Sequence, residues 1–354
     1  MTHSQNVPLD ALEDFVTRAL QSTGMPNEQA GIVADTLVTT DAMGVYTHGT
    51  KLLIGYIKKL QAGGYDPRAV PTVERQGPAW GIIDGQSALG MIGCHGAMKL
   101  AVEKAKQTGI AYVGLKHTAH VGAIGYYASM GARQGCITMV TGNDIPSVAA
   151  PGSCKAVLGS NPIAYGIPRL GADPIFLDMA TAATAGGKVY AACQRGEPIP
   201  ETWLIGPDGK PTTDGSLYPA QASLAPMAGH KGYGIGLWCE ILSAILPGGN
   251  HTWNVGSWLF DDPSKPSNHT ASFTAIDVSV ITDPKRFDTQ LQDLIDQIHH
   301  APKAEGSSGV LLPGEREWSR YHQAKSSGIP LPIDVLEKLK LVAQATEVQA
   351  NWLL

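Results

Sequence analysis

The chain has 354 residues, a net charge of −5, and 43% hydrophobic against 16% charged residues, which gives length for about two lobes around a real core and excludes a disordered chain. No Lys/Arg cluster is interleaved with aromatics, so nucleic acid is not an expected partner. The start, MTHSQNVPLDALEDF, has no basic segment leading into an apolar core, and the apolar stretch GIGLWCEILSAIL carries Glu240 and is too short to span a bilayer, so a cytoplasmic protein without a membrane partner is expected.

In chain order, LDALEDFVTRAL sets Leu12, Phe15, Val16, Ala19 and Leu20 on one helical face, with Gly24 placed to end it. A second helix follows Pro26 and buries Val33, Ala34, Leu37 and Val38. A third begins at Thr47-His48-Gly49 and shows Leu52, Leu53, Tyr56, Ile57 and Leu60 before Gly63-Gly64 and Pro67 break it. From about residue 70 the texture changes to short β runs, WGIIDG, GIAYVGL, CITMVTG, PIFLDMA and SFTAIDVSVI. GAMKLAVEKAKQTG and GKVYAACQRG read as helices between them, and the segment from Tyr233 to Leu246 as a buried helix. After residue 283, FDTQLQDLIDQIHH and PIDVLEKLKLVAQA are helical by period, with SSGVLLPGEREWSR a polar loop between them. The expected organisation is a helical part over 1–70, a central α/β part over 71–282 and a helical part over 283–354 that packs with the first. The five cysteines, Cys94, Cys136, Cys154, Cys193 and Cys239, form no CxxC pair and read as reduced core thiols.

No GxGxxG follows a strand, and GYGIG has the wrong spacing, so a dinucleotide would not bind through a Rossmann loop. Thr47 reads as the N-cap of the third helix with His48 in its first turn, where the helix dipole disfavours imidazolium and so tunes a proton donor. Residues four and eight further on share that face, which puts Leu52 and Tyr56 in the pocket. Taken alone, the triplet also fits a capping threonine beside a histidine that only hydrogen-bonds. In HTAHVGAIGYY, His117 and His120 lack the further ligands a metal site wants, while Gly122 and Gly125 suit a strand-to-helix turn with N–H groups free for an anion, or a plain turn. GSNP and LDMATAATAGGKV place small side chains at strand ends, where open α/β sheets bind ligands. Asp178 there can hold a ribose hydroxyl or cap a turn. Lys188 opens a helix against the dipole, and Lys231 lies among glycines; both suit an anionic ligand.

In this order the motifs resemble the malate/L-lactate dehydrogenase family over nearly the whole chain. The carriers are DAMGVYTHGTKLLIGYIKKLQAGG, HVGAIGYY, GSNPIAYGIP, LDMATAATAGGKV, QRGEPIPETW, PDGKPTTD, GHKGYGIGLWCEIL and LLPGERE. The resemblance implies an NAD(P)H-dependent oxidoreductase with a non-Rossmann α/β fold, homodimeric, needing no metal. It matches Thr47-His48-Gly49 to the family's Ser-His-Gly, making His48 the proton donor. His120 matches a second histidine, assigned to acid/base work in some members and to the cofactor site in others. Gly122, Ala123, Ser160, Asp178, Met179, Ala180, His230, Lys231, Pro313, Gly314 and Glu315 match cofactor or substrate positions. Lys188 matches a lysine, or an aspartate partner of the catalytic histidine in imine-reducing relatives.

Three positions depart from the family pattern. The arginine of Ser-His-Gly-x-x-Arg, a bidentate clamp for a substrate carboxylate, is Leu52. The aspartate before the triplet is Tyr46, and the serine after DMAT is Ala182. A less anionic pocket is expected, with malate and lactate disfavoured, for a 2-oxo acid, a related carbonyl or, alternatively, a cyclic imine.

Overall fold

The computed structural model describes residues 4–353. A short strand β1 (Ser4–Val7) leads into helices α1 (Leu9–Gln21), α2 (Asn27–Ala42) and α3 (Leu53–Ala62). The faces buried on α1 and α2 are those their apolar spacing predicts, and Gly63 at φ +85° closes α3 in the left-handed conformation that glycine adopts without strain. The chain then forms β2 (Thr72–Gly77), β3 (Trp80–Asp84), α4 (Gly90–Thr108), β4 (Ile110–Thr118), α5 (Gly125–Ala132) and β5 (Cys136–Gly142). Next come β6 (Val148–Ala149), β7 (Ala156–Leu158), β8 (Ile163–Ile167), β9 (Ile175–Met179), α6 (Gly186–Gln194), β10 (Leu204–Ile205), β11 (Pro211–Thr212) and β12 (Ser223–Leu224). Helix α7 (His230–Glu240) runs on as a π turn over Ile241–Ile245. Strand β13 (His269–Asp277), α8 (Val278–Ile281), α9 (Pro284–His299), α10 (Glu315–Ser327), β14 (Ile329–Pro332) and α11 (Ile333–Thr346) complete the fold.

Seven strands form the central sheet in the order β2-β3-β4-β13-β5-β8-β9, antiparallel except where β3 meets β4. These pairings bring the carboxyl ends of β4, β5 and β9 and the amino ends of β13 and β8 to a single sheet edge. A smaller sheet, β11-β10-β12-β6-β7, packs with α6 around Val148, Val189, Leu204 and Leu224. The largest core joins α1, α2 and α3 to α11, with Leu12, Leu37, Leu53, Leu339 and Val342 buried together. There β1 pairs antiparallel with β14, so the two ends of the chain close one layer.

Four expectations change. Glu315–Arg320, the end of the stretch read as loop, is the start of helix α10, whose apolar content is a narrow stripe in which only Trp318 and Ala324 are buried. The helix read as buried from Tyr233 to Leu246 presents Leu237, Trp238, Ile241, Ile245 and Leu246 to solvent. The run after Asp277 turns helical, since that carboxylate caps the N–H groups of Ser279 and Val280. Cys154 and Cys193 are exposed, while Cys94, Cys136 and Cys239 are buried free thiols. No helix among the described residues is long and apolar enough to cross a membrane.

Candidate active site

The sheet edge where β4, β5 and β9 end carries most of the residues singled out by the motifs. His120 follows β4, Ser160 precedes β8, and Asp178 and Met179 close β9 with Ala180 just beyond. The helical layer supplies His48 and Tyr56 against them.

The turn bearing His48 differs from its expected form. Helix α3 starts at Leu53 after a 3-10 turn over Thr50–Leu52, so His48 precedes the helix and Thr47 is not its N-cap. The Thr47 hydroxyl instead lies 2.9 Å from His48 Nδ1, leaving Nε2 as the ring nitrogen free for chemistry. The group that organises the turn is Asp41, fully buried at the end of α2. Its Oδ2 accepts hydrogen bonds from the Thr50 N–H (3.0 Å) and from the Thr50 hydroxyl. Gly49 lies directly on that carboxyl: a Cβ there would stand 1.8 Å from Asp41 Oδ1. Since Gly49 has φ −92°, glycine is needed for space and not for backbone freedom. Burial pushes the Asp41 carboxyl up to about 7 against the opposing hydrogen bonds from Thr50.

Tyr56 reaches His120, not His48: its hydroxyl lies 2.8 Å from His120 Nδ1. Burial holds the phenol well above its ordinary range, so Tyr56 meets His120 as a neutral hydroxyl. Trp258 stacks on the His120 ring at 4.6 Å, and the His48 and His120 ring centroids are 6.0 Å apart. Burial, with the neighbouring His269, drives His120 down to about 3, so it is a neutral imidazole at ordinary pH. Burial lowers His48 too, but the charge of Asp144 opposes the shift.

Asp144 was not singled out by any motif, yet it joins the cluster. Burial raises its carboxyl, while the hydrogen bond and charge of His269 and the nearby His120 outweigh that and hold it below the usual range. His269 Nε2 is 3.4 Å from Asp144 Oδ1, and the Ser160 hydroxyl donates to Oδ2 at 3.2 Å. The reason for the meeting is register: β13 pairs with β5 up to Ala271–Gly142, which sets His269 beside the residues that follow β5. Asn161, fully buried, holds the next segment by donating to Glu240 Oε2 (2.6 Å) and the Gly236 carbonyl (3.1 Å) of α7. His117, the other histidine of its motif, pairs with Asp84 at 2.9 Å and stands apart from His120.

Several motif residues frame a second region beside this cluster. Gly122 has φ +71°, and Ala123 is half-buried. The Gly125 N–H at the start of α5 is not free for an outside anion, because Asp178 Oδ2 accepts it at 2.7 Å. Gly314 has φ +88° and packs so closely on Phe176 that a Cβ would come within 2.6 Å of its ring. The Phe176 N–H donates to the Pro313 carbonyl. Glu315 is engaged by His299 (2.9 Å) and by the Leu312 N–H. Lys188, His230 and Lys231 are exposed in the first turns of α6 and α7, with no carboxylate partner among the described residues. A cation at a helix N-terminus is disfavoured by about 0.3–1 kcal/mol unless an anion lies over it. Thr184, at the turn into α6, has a buried hydroxyl without a partner, and space is open above Gly187 and Gly229. These features fit a phosphate-bearing dinucleotide.

The three departures behave differently. Tyr46 donates its hydroxyl to the Pro330 carbonyl of β14, and Ala182 is buried in a bridge to Pro226, so both serve packing. Leu52 is half-buried against the helical core. Lys51, the neighbouring cation, is held by Asp334 at 2.6 Å and does not replace the missing arginine.

A mixed α/β body without a Rossmann loop, pairing an imidazole at its strand ends with one from its helical layer beside a cradle suited to a nicotinamide dinucleotide, defines an NAD(P)-dependent oxidoreductase. Residues 7–340 match the malate/L-lactate dehydrogenase family, and the chain belongs to it. It is 35% identical over 350 residues to a malate dehydrogenase of Pyrococcus abyssi, covering 97% of this chain and 95% of that one. It is 29% identical over 345 residues to a Delta(1)-pyrroline-2-carboxylate/Delta(1)-piperideine-2-carboxylate reductase of Pseudomonas syringae pv. tomato, covering 96% and 97%. The crystal structure of malate dehydrogenase from Entamoeba histolytica superposes with a TM-score of 0.91 at 28% identity, over 99% of this chain and all of the other.

Proposed function

We propose that this enzyme interconverts a 2-oxo acid, or a related carbonyl compound, with its 2-hydroxy counterpart, and that His48 delivers the proton. The observation carrying this reading is the His48–His120–Asp144 cluster at the sheet edge. When bound, NAD(P)H supplies the hydride. Lys188, His230 and Lys231 would hold its phosphates, with Asp178, Met179, Ala180 and the Pro313-Gly314-Glu315 loop beside them. Thr47 fixes His48 through Nδ1 and presents Nε2 to the substrate oxygen. Asp144 favours the protonated form of His48, whereas His120, held neutral, can only hydrogen-bond. Tyr56 and Trp258 keep that ring in place. A general acid so placed contributes about 10²- to 10⁴-fold.

Reduction of a cyclic imine is the second reading. It is favoured by Leu52 in the clamp position and by Lys51 being tied to Asp334; Lys188, where imine-reducing relatives carry aspartate, speaks against it. The exposed apolar residues of α7 and its π turn, Leu237, Trp238, Ile241 and Ile245, support a homodimer.

Oxidation of NADH and NADPH with a panel of 2-oxo acids and cyclic imines tests the substrate class. His48→Gln should lower kcat by about 10²- to 10⁴-fold while leaving NADH affinity in place, and wild-type kcat/KM in the reductive direction should fall as pH rises through the lowered His48 value. Unchanged turnover in His48→Gln would remove His48 as the donor, and strong pyruvate or oxaloacetate turnover would remove the less anionic pocket.

A further inference from the structure

A cavity of about 1220 Å³ lies away from the site just described, walled by the end of α5, the β8–β9 connection, the start of α9 and His322 of α10. Its lining residue Pro174, just before β9, lies four residues, roughly 13 Å, from Asp178 at the other end of that strand. Ligand pockets span roughly 300–1,000 Å³, so this one has room for a molecule of drug or nucleotide size.

Its charges are unevenly satisfied. Each of its three carboxylates is already engaged by the protein. Asp173 accepts from Arg133 at 2.8 Å and from His322, Asp277 caps α8, and Asp288 accepts the Leu170 N–H at 3.1 Å. Three of its cations, Lys106, Arg169 and Lys285, have no ion-pair partner among the described residues, in a chain of net charge −5. The walls between them are apolar, including Val278, Phe287, Pro168 and Leu170, the last 79% exposed. Exposed apolar side chains beside unpaired cations match a ligand that offers both an apolar body and an anionic head.

We propose that this cavity is a second binding site, for an organic anion: a carboxylate or phosphate ester carried on an apolar body, its head met by Arg169 and Lys285. The far wall belongs to the packing that supports the Pro313-Gly314 loop, for Trp318 donates to the Pro174 carbonyl at 2.7 Å and packs edge-on against Phe176 at 5.3 Å. None of the hydride-site residues lines the cavity, so the two sites can be separated by substitution.

The test is isothermal titration of the full-length protein with 2-naphthoate and 2-naphthyl phosphate, and with neutral 2-naphthylmethanol as control. Binding of at least one anion at one site per chain is expected, weakened tenfold or more in R169E/K285E and in the cavity-filling Ala172→Trp variant, with NADH affinity unchanged in both. The relative strengths of the two anions identify the head group. The proposal is overturned if the anions bind neither variant more weakly than wild type, if the neutral alcohol binds as tightly as they do, or if no anion binds.

Discussion

Asp41 is the buried residue on which the His48 turn depends, although no motif points to it. Replacing it with alanine would leave the Thr50 N–H without its acceptor, whereas Asn can still accept it, so Asp41→Asn should retain far more activity than Asp41→Ala. Gly49→Ala forces a methyl onto the carboxyl and should destabilise by about 1–3 kcal/mol, the range of overpacked interiors, read as a shift in the urea midpoint. The same carboxyl makes a pH prediction. Its folded value of about 7 lies above the ordinary 3.8, so the folded chain binds more protons between those values, and stability is fully present below 3.8 and lost as pH rises towards 7. Compared with Asp41→Asn, the wild type should lose stability across that window by about 1.4 kcal/mol per pH unit; parallel pH profiles would show that Asp41 titrates normally.

Among the elements, α7 shows where an apolar pattern misleads. A run as rich in hydrophobic residues as GIGLWCEILSAIL satisfies the period of a core helix, but periodicity cannot tell a core from a surface awaiting another copy. Trp238→Lys puts a charge on that face and should convert the proposed dimer to a monomer in size-exclusion chromatography; unchanged elution would count against a contact there. Helix α10 errs in the other direction: EREWSRYHQAKSS is polar nearly all round, and Trp318 alone anchors its first turns, so nothing in its composition outweighed the loop formers before it. By contrast, α1 and β3, β4, β5 and β9 were legible, because each pairs one buried face with clear breakers.

For the whole molecule, the motifs pointed to His48, His120, Ser160 and the β9 end as candidates, while no motif pointed to Asp144, His269 or Trp258. Each of those three lies in a turn or strand end without a recurring spacing: the pairing of β13 with β5 brings Asp144 and His269 together, and Trp258 enters by stacking on Tyr56 and His120. The β1–β14 clasp is likewise a long-range pairing, since Val7 meets Ile329. Deleting residues 1–7 removes four strand pairings, that of the buried Val7 among them, and should cost at least about 2 kcal/mol, visible as an earlier thermal transition. The clasp also bears on how the enzyme is made. The α11 partner of α1, α2 and α3 is encoded after every strand of the central sheet, so during synthesis this apolar layer waits for it while the sheet can already pair. Tyr56 and His48 belong to that waiting layer. A nascent chain therefore pairs its central sheet before the turn of the proposed proton donor is covered, and a chain ending ahead of α11 should keep that sheet while leaving the His48 turn unsupported.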